Sequence, residues 1–524
     1  MAVVTRGARW RRPTLDHVLD FSSWRFPPWL LYGVPVLVWY AVPRVSENML
    51  KDVAMGIVGL GALLVVRSYA SFALVSLTPI LIFQQPVLAF ALKHGVPVEI
   101  VRPLASVKEL IVFALLVTAL ETIRKEGHRF DRLDWLAIAF VGLVTLYVLV
   151  PAIAGQYAPR AWDVRTQGWR ANALFIVVMF AARHIPIDAR IQQRVANAAL
   201  KSGLIFGGIA VYEWLDSSGW NNFAINTLGV ANYQHVMFGA PLTRDIRLRS
   251  MIGTELVTRP GSLLYSGLEA GLYMLVAFSL AAALIARARR RSTTAYIGVG
   301  VLALAIIATN TRAAELGMIV AGAAALSVGP ALSRRLRGDS PGRVKLAIAA
   351  GTIVILLVPV AAASGAIERF FHDDDGSAQV HEDTTKGGWS RAINYPMGIG
   401  VGTSAGVGTR YDVGSRLVEH NAYLQIANET GLISLALYVA LLLTLLLTLR
   451  RLATLPGISG AIALGAMAAG IALAFAGFFQ HTWVVSISAL NYWSIAGTAA
   501  NVRASTREVA GSSAPPAELS PSRP

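Results

Sequence analysis

Apolar runs long enough to enter or cross a lipid bilayer recur along almost the whole of this chain, and that repetition limits its possible folds more than any motif does. They lie at 28–43, 52–66, 69–92, 104–122, 134–155, 169–183, 196–215, 262–286, 295–310, 313–330, 344–365, 422–449, 459–478 and 482–501. In hydrocarbon every backbone amide and carbonyl must find a partner within the protein, so runs of this kind become helices. The pattern predicts an all-α, polytopic integral membrane protein with about 12–14 transmembrane helices and a long extracytoplasmic loop before the last three. The runs at 52–66 and 169–183 are short for a full crossing. Pro79 and Pro86 interrupt 69–92, which reads either as a kinked helix or as a re-entrant pair. Composition agrees: 55% of residues are hydrophobic and only 15% charged, against about 25% charged in soluble proteins.

Basic residues give the orientation. They cluster at Arg6, Arg9, Arg11 and Arg12, at Arg124, Lys125, Arg129 and Arg132, and at Arg183, Arg190 and Arg194. Further clusters are Arg287, Arg289, Arg290 and Arg291, then Arg334, Arg335, Arg337, Arg343 and Lys345, then Arg450 and Arg451. With fourteen spans all of them fall on one side, which the positive-inside rule makes cytoplasmic. The net charge of +16 is then topological rather than a nucleic-acid footprint. Residues 1–27 read as a basic cytoplasmic segment without the apolar core of a cleaved signal peptide, 28–502 as the membrane domain, and 503–524 as a disordered cytoplasmic tail rich in Pro, Ser and Ala. The absence of cysteine excludes disulfides, thiolate metal sites and a cysteine nucleophile.

The opposite side carries three polar segments longer than a minimal turn, 156–168, 216–261 and 366–421. All three hold arginines despite the bias against them there: Arg160 and Arg165; Arg244, Arg247, Arg249 and Arg259; Arg369, Arg391, Arg410 and Arg416. Arginines also snorkel to lipid headgroups. As a set they suit bidentate binding of phosphate oxygens, which implies an anionic ligand, a phosphate or pyrophosphate, at the outer leaflet.

Three stretches concentrate polar chemistry on that side. In 308–317 the turn Thr309-Asn310-Thr311-Arg312 joins two apolar runs, and Arg312 is expected to open the second helix, where free amides favour an anion; an Arg312–Glu315 pair is the ordinary alternative. In 247–261, Arg247 and Arg249 alternate with apolar residues, so both point to one face of an extended segment. In 389–421, the run from Pro396 through Gly398, Gly400 and Gly402 is too rich in glycine for a helix and is expected to bring backbone close to a substrate; it matches no nucleotide-binding fingerprint. The same stretch ends in Glu419-His420-Asn421 at the mouth of an apolar run. His420 has the intrinsic pKa of a general base, and Glu419 or Asn421 is placed to orient its ring. The acidic run 372–385 lacks the ligand spacing of a calcium loop, so no metal site is expected.

The order of these elements resembles the O-antigen ligase/polymerase superfamily, bacterial membrane glycosyltransferases that act on polyprenyl-diphosphate-linked glycans. The matching parts are Thr309 to Arg312, Pro396 to Gly402 and Glu419 to Leu432, with a looser match over 247–261, all in the C-terminal half. The chain departs from the family in showing Asn-Thr-Arg where Ser-Arg is common, and in its higher span count. The resemblance implies a multi-helix fold in the inner (cytoplasmic) membrane and metal-independent, cofactor-free transfer of a glycan at the extracytoplasmic face. It implies His420 and Arg312 as catalytic residues and Arg249, with Arg247 alternating beside it, as a diphosphate ligand. Arg416 and Arg391 are further candidates, and Glu419, Asn421 and Thr311 are candidate supports. Donor, acceptor (glycan, lipid or protein) and bilayer are the expected partners, with no nucleic acid. A transporter or flippase for an anionic lipid-linked glycan is the rival reading; it needs charged residues along a path through the bilayer and, often, internal repeats, and no convincing repeat is visible.

Overall fold

Proline inside a helix removes an amide donor and crowds the preceding turn, yet Pro79 and Pro86 interrupt nothing. In the computed structural model of the protein, Ala70–Lys93 (α1) is one helix of 24 residues, neither split nor re-entrant. The structure describes residues 67–127, 130–157, 159, 161–239, 242, 248–252, 255–287, 293–337, 376–404, 420–483 and 486–501. The expected spans at 28–43, 52–66 and 344–365, both terminal segments, and the candidates Arg247, Arg416 and Glu419 lie outside these residues.

After α1 come Val98–Leu104 (α2), Val107–Glu126 (α3), Arg132–Leu149 (α4), Trp162–His184 (α5) and Ala189–Leu215 (α6). Segment 216–261, expected as a polar loop, is folded: Ser217–Phe223 (α7), a π-turn at Ala224–Leu228, Val230–Phe238 (α8), and an antiparallel hairpin of Leu248–Ile252 (β1) with Glu255–Arg259 (β2). There follow Gly267–Arg287 (α9), Thr293–Ala308 (α10), Arg312–Arg337 (α11), Gly376–Asn394 (α12), Ala422–Leu452 (α13), Gly457–Ala476 (α14) and Ser486–Ala499 (α15). The protein is all-α and polytopic: 7 of the described helices are long and apolar enough to cross a membrane, namely α1, the rod of α2 and α3, α4, α6, α9, α13 and α14.

Helix α9 is the centre. It is buried without interruption from Ala270 to Leu280 and packs against α6, α10, α11 and α14. Lipid tails are as apolar as leucine, so close packing of small residues replaces the hydrophobic drive between such helices. Glycines supply it: a Cβ on Gly203 of α6 would sit 2.4 Å from that of Ala277, one on Gly465 of α14 2.8 Å from Leu280, and one on Gly317 of α11 2.7 Å from Leu275. Overfilling such contacts costs about 1–3 kcal/mol each.

The helices leave two unlike ends. At one, Asp131 caps α4 by accepting from the amides of Leu133 and Asp134, and Asp134 returns the bond to the Asp131 amide. Arg183, at the end of α5, is buried and pairs with both carboxylates, while His184 sits 2.8 Å from Asp134. Burial alone would raise the Asp131 pKa; the hydrogen bond and charge of Arg183 outweigh it and hold the group down at about 2. Nearby, Asn501 donates to the carbonyls of Ala182 and Ile185, and Arg287 to those of Ala453 and Leu455. The last turns of α3 and α13, with Arg124, Lys125, Arg450 and Arg451, lie at this end too. The described members of the basic clusters therefore gather at one end, and the His420, Arg312 and Arg391 positions lie at the other.

Candidate functional site

The site end is built from helix starts and the turns between them. Asn421 is the N-cap of α13, its side-chain oxygen accepting from the amides of Tyr423 (2.9 Å) and Leu424 (3.0 Å), as expected of Asn at this position. Its side-chain amide donates to the Phe478 carbonyl (3.1 Å), and the Ala422 amide donates to the Gly477 carbonyl (2.9 Å). Asn421 thus ties the start of α13 to the segment after α14, and His420 immediately precedes the capped turn. His420 is half-buried, and that burial lowers its pKa from 6.5 by disfavouring the charged ring. Its neighbour is His481, with ring centroids 6.0 Å apart and planes inclined at 32°.

Arg312 is the first residue of α11, as the turn composition predicted. The turn before it is tightly organised. Asn310 adopts φ 51°, a left-handed conformation that Asn tolerates better than most residues, and donates to the Thr258 carbonyl (3.2 Å). Thr311 is buried; its hydroxyl donates to the Gly267 carbonyl (3.1 Å) and accepts from Arg259 (3.1 Å). Arg259 also approaches the Thr309 carbonyl at 3.5 Å. The hairpin is therefore docked on the turn through Thr258 and Arg259. From the other side, Glu213 of α6 accepts from the amides of Gly261 (3.0 Å) and Ser262 (2.7 Å). Arg249 sits on β1 opposite Thr258 in the register. Arg259, which lies outside the alternating pair Arg247 and Arg249, contacts the turn. The signal for it was its place directly before Pro260-Gly261, where the chain turns into α9.

The two groups share a level. A Cβ on Gly317 of α11 would lie 3.5 Å from the Ala472 carbonyl of α14, so the residues five positions outward, Arg312 and Gly477, stand at similar height. Gly477 is the residue that bonds the start of α13. Arg312, Arg259, His420 and His481 thus rim one end of the bundle.

The glycine-rich run packs on the protein's own backbone. Its glycines bring backbone close to the protein itself. The amides of Ile399 and Gly400 donate to the carbonyls of Asn428 (2.7 Å) and Glu429 (3.0 Å), and the Leu432 amide donates to the Pro396 carbonyl (2.9 Å). A Cβ on Gly398 would lie 2.7 Å from the Glu429 carbonyl, and one on Gly402 2.5 Å from the Val164 carbonyl. These bonds are possible because α13 breaks at Gly431 (φ 85°, ψ 171°), a conformation open essentially to glycine alone. The break exposes main-chain groups, and the loop satisfies them. Glu429, 1% exposed, adds a side-chain clamp by accepting from the Ser404 amide (3.0 Å) and from Asn172 of α5 (2.6 Å). Tyr147 of α4 donates to the Met397 carbonyl. Arg391, in the last turn of α12, leads into this loop. Residues 376–385, the later part of the acidic run, belong to α12. Among the described residues no group of three or more His, Asp or Glu is placed to hold a metal ion. No protein-family model matches the chain, and no curated protein matches it.

Proposed function

We propose that this multi-pass membrane protein transfers a glycan from a polyprenyl-diphosphate carrier to an acceptor hydroxyl at the extracytoplasmic face of the inner membrane, as the O-antigen ligase/polymerase superfamily does. The observation that carries the reading is a half-buried histidine beside a capped helix start, at the level of Arg312 and its Arg259-braced turn, at the end of the bundle away from the basic clusters.

The roles follow from the chemistry of each group. His420, kept neutral by burial, takes the proton of the acceptor hydroxyl as that oxygen attacks the anomeric carbon. The bond from that carbon to the diphosphate breaks with its electron pair passing to the phosphate oxygen, so the anomeric centre inverts. Arg312, at the start of α11, offsets the charge that builds on the leaving diphosphate. Arg249, Arg391 and Arg416 are further candidates for that charge, and Arg259 and Thr311 hold the turn that aims Arg312. Asn421 fixes the backbone that presents His420.

The test is reconstitution of the full chain in nanodiscs with a polyprenyl-diphosphate-linked glycan and candidate acceptors. Free polyprenyl diphosphate and glycosylated acceptor are expected, and His420→Ala removes both while the protein still inserts. Near-normal release by His420→Ala overturns the assignment, and movement of intact lipid-linked glycan without release supports a transporter instead.

A further inference from the structure

A base that takes a proton at each turnover must also lose it, and His420 has one imidazole neighbour placed for this. His481 lies in 477–483, between α14 and α15, 61 residues along the chain from His420. Two contacts fix that segment beside it: the Gly477 carbonyl accepts from the Ala422 amide, and the Phe478 carbonyl from Asn421. A third anchor lies two residues past His481, where Trp483 is buried among Tyr438 (6.2 Å), Tyr492 (5.7 Å) and Trp493 (5.6 Å). Both ends of the short segment are thereby held, and its one imidazole stands 6.0 Å, centroid to centroid, from His420. One hydroxyl or one water molecule spans such a gap.

We infer that His481 is the second imidazole of the site, receiving from His420 the proton taken from the acceptor and passing it to the aqueous face. This rests on the glycan-transfer reading above. The proton balance is complete: the acceptor O–H proton moves to His420, then to His481, then to bulk water. The electron pair of the broken carbon–oxygen bond stays with the diphosphate, which leaves as an anion without needing that proton. Both residues are partly exposed, which gives the relay an outlet that a fully buried histidine lacks. On the adjoining elements, the Tyr423 hydroxyl is engaged by the Ala474 carbonyl (2.7 Å), and Arg312 stands at the same level, its charge disfavouring two imidazolium rings together.

The experiment is a titration of the full chain in nanodiscs, with its histidines isotopically labelled, followed by NMR. Two imidazoles this close titrate as a coupled pair, so His481→Gln raises the His420 midpoint by about one pH unit. A His420 midpoint unchanged by His481→Gln overturns the inference. The transfer assay supplies the second arm: release of polyprenyl diphosphate by His481→Gln falls about 100-fold in kcat with KM unchanged. Full kcat retained in His481→Gln also overturns it. His481→Asn repeats both arms if the glutamine variant does not fold. Coupled titration in a wild-type chain that releases no polyprenyl diphosphate refutes the glycan-transfer reading and the relay with it, leaving only the proximity of the rings. Release with uncoupled titration refutes the relay alone.

Discussion

Removal of the Glu429 carboxyl group should undock the glycine loop without unfolding the bundle. Glu429 is buried and receives two hydrogen bonds, from the Ser404 amide (3.0 Å) and from the Asn172 side chain (2.6 Å). Alanine leaves both donors without a partner in a dry site, at about 1–3 kcal/mol each. A loss of about 4 kcal/mol, within that range, raises the opening equilibrium of the loop about 10³-fold. The loss stays local because the helices below do not depend on this contact, while 396–404 is otherwise held by main-chain bonds at Ile399, Gly400 and Pro396 and by Tyr147. Glutamine is milder but still harmful. Its carbonyl oxygen can accept from Ser404, but its amide then faces that of Asn172, both of whose hydrogens are in use, the second on the Gly168 carbonyl (2.8 Å). Hydrogen–deuterium exchange of 396–404 is the assay, with Glu429→Ala exchanging fastest, Glu429→Gln next and wild type slowest. If the Ile399, Gly400 and Ser404 amides exchange within about threefold of wild type in Glu429→Ala, the clamp does not hold the loop.

Two further outcomes follow. His420 must be neutral to accept a proton, and burial lowers its pKa from 6.5, so kcat/KM for glycan transfer should rise with pH along a limb whose midpoint lies below 6.5; a midpoint above 6.5 refutes the assignment. Gly431→Ala puts a Cβ 2.6 Å from the Pro396 carbonyl in a conformation that only glycine adopts easily, so it should cost about 2–4 kcal/mol and expose 396–404 to protease; a wild-type digestion pattern in that variant contradicts it.

The parts of the site that rest on local chemistry were legible in the sequence. Arg312 opens its helix because Thr-Asn-Thr makes a turn and the apolar period resumes behind it, and Asn421 caps α13 because its side chain can reach the first free amides. What depends on distant partners was not legible. Arg259 contacts the threonine turn because the docking of the hairpin on Asn310 brings it there, and that docking is not a property of one stretch. The glycines of 396–402 look the same whether their missing side chains make room for a ligand or for the protein's own backbone; only the break at Gly431 distinguishes these. His481 carried no signal because its neighbour is 61 residues away in sequence. Pro79 and Pro86 leave a kinked helix or a re-entrant pair open in the sequence; α1 is one helix, because packing against neighbouring helices keeps it continuous where propensity alone would end it.

The break at Gly431 also sets a depth. Unbroken, α13 would be about 46 Å long at 1.5 Å per residue, well beyond the roughly 30 Å of hydrocarbon, and it would carry Gln425, Asn428 and Glu429 on its upper turns. The part below the break, 432–452, is about 31 Å long, close to one bilayer thickness. If 432–452 fills the hydrocarbon, the polar half-helix falls at its edge, with His420 just beyond the half-helix. In thicker or thinner membranes the lower segment meets the mismatch by tilting or by deforming the lipid around it. The half-helix is bonded to the loop and, through Glu429, to α5, so the three are held as one piece. A single glycine thereby trims the spanning part of α13 to about one bilayer thickness.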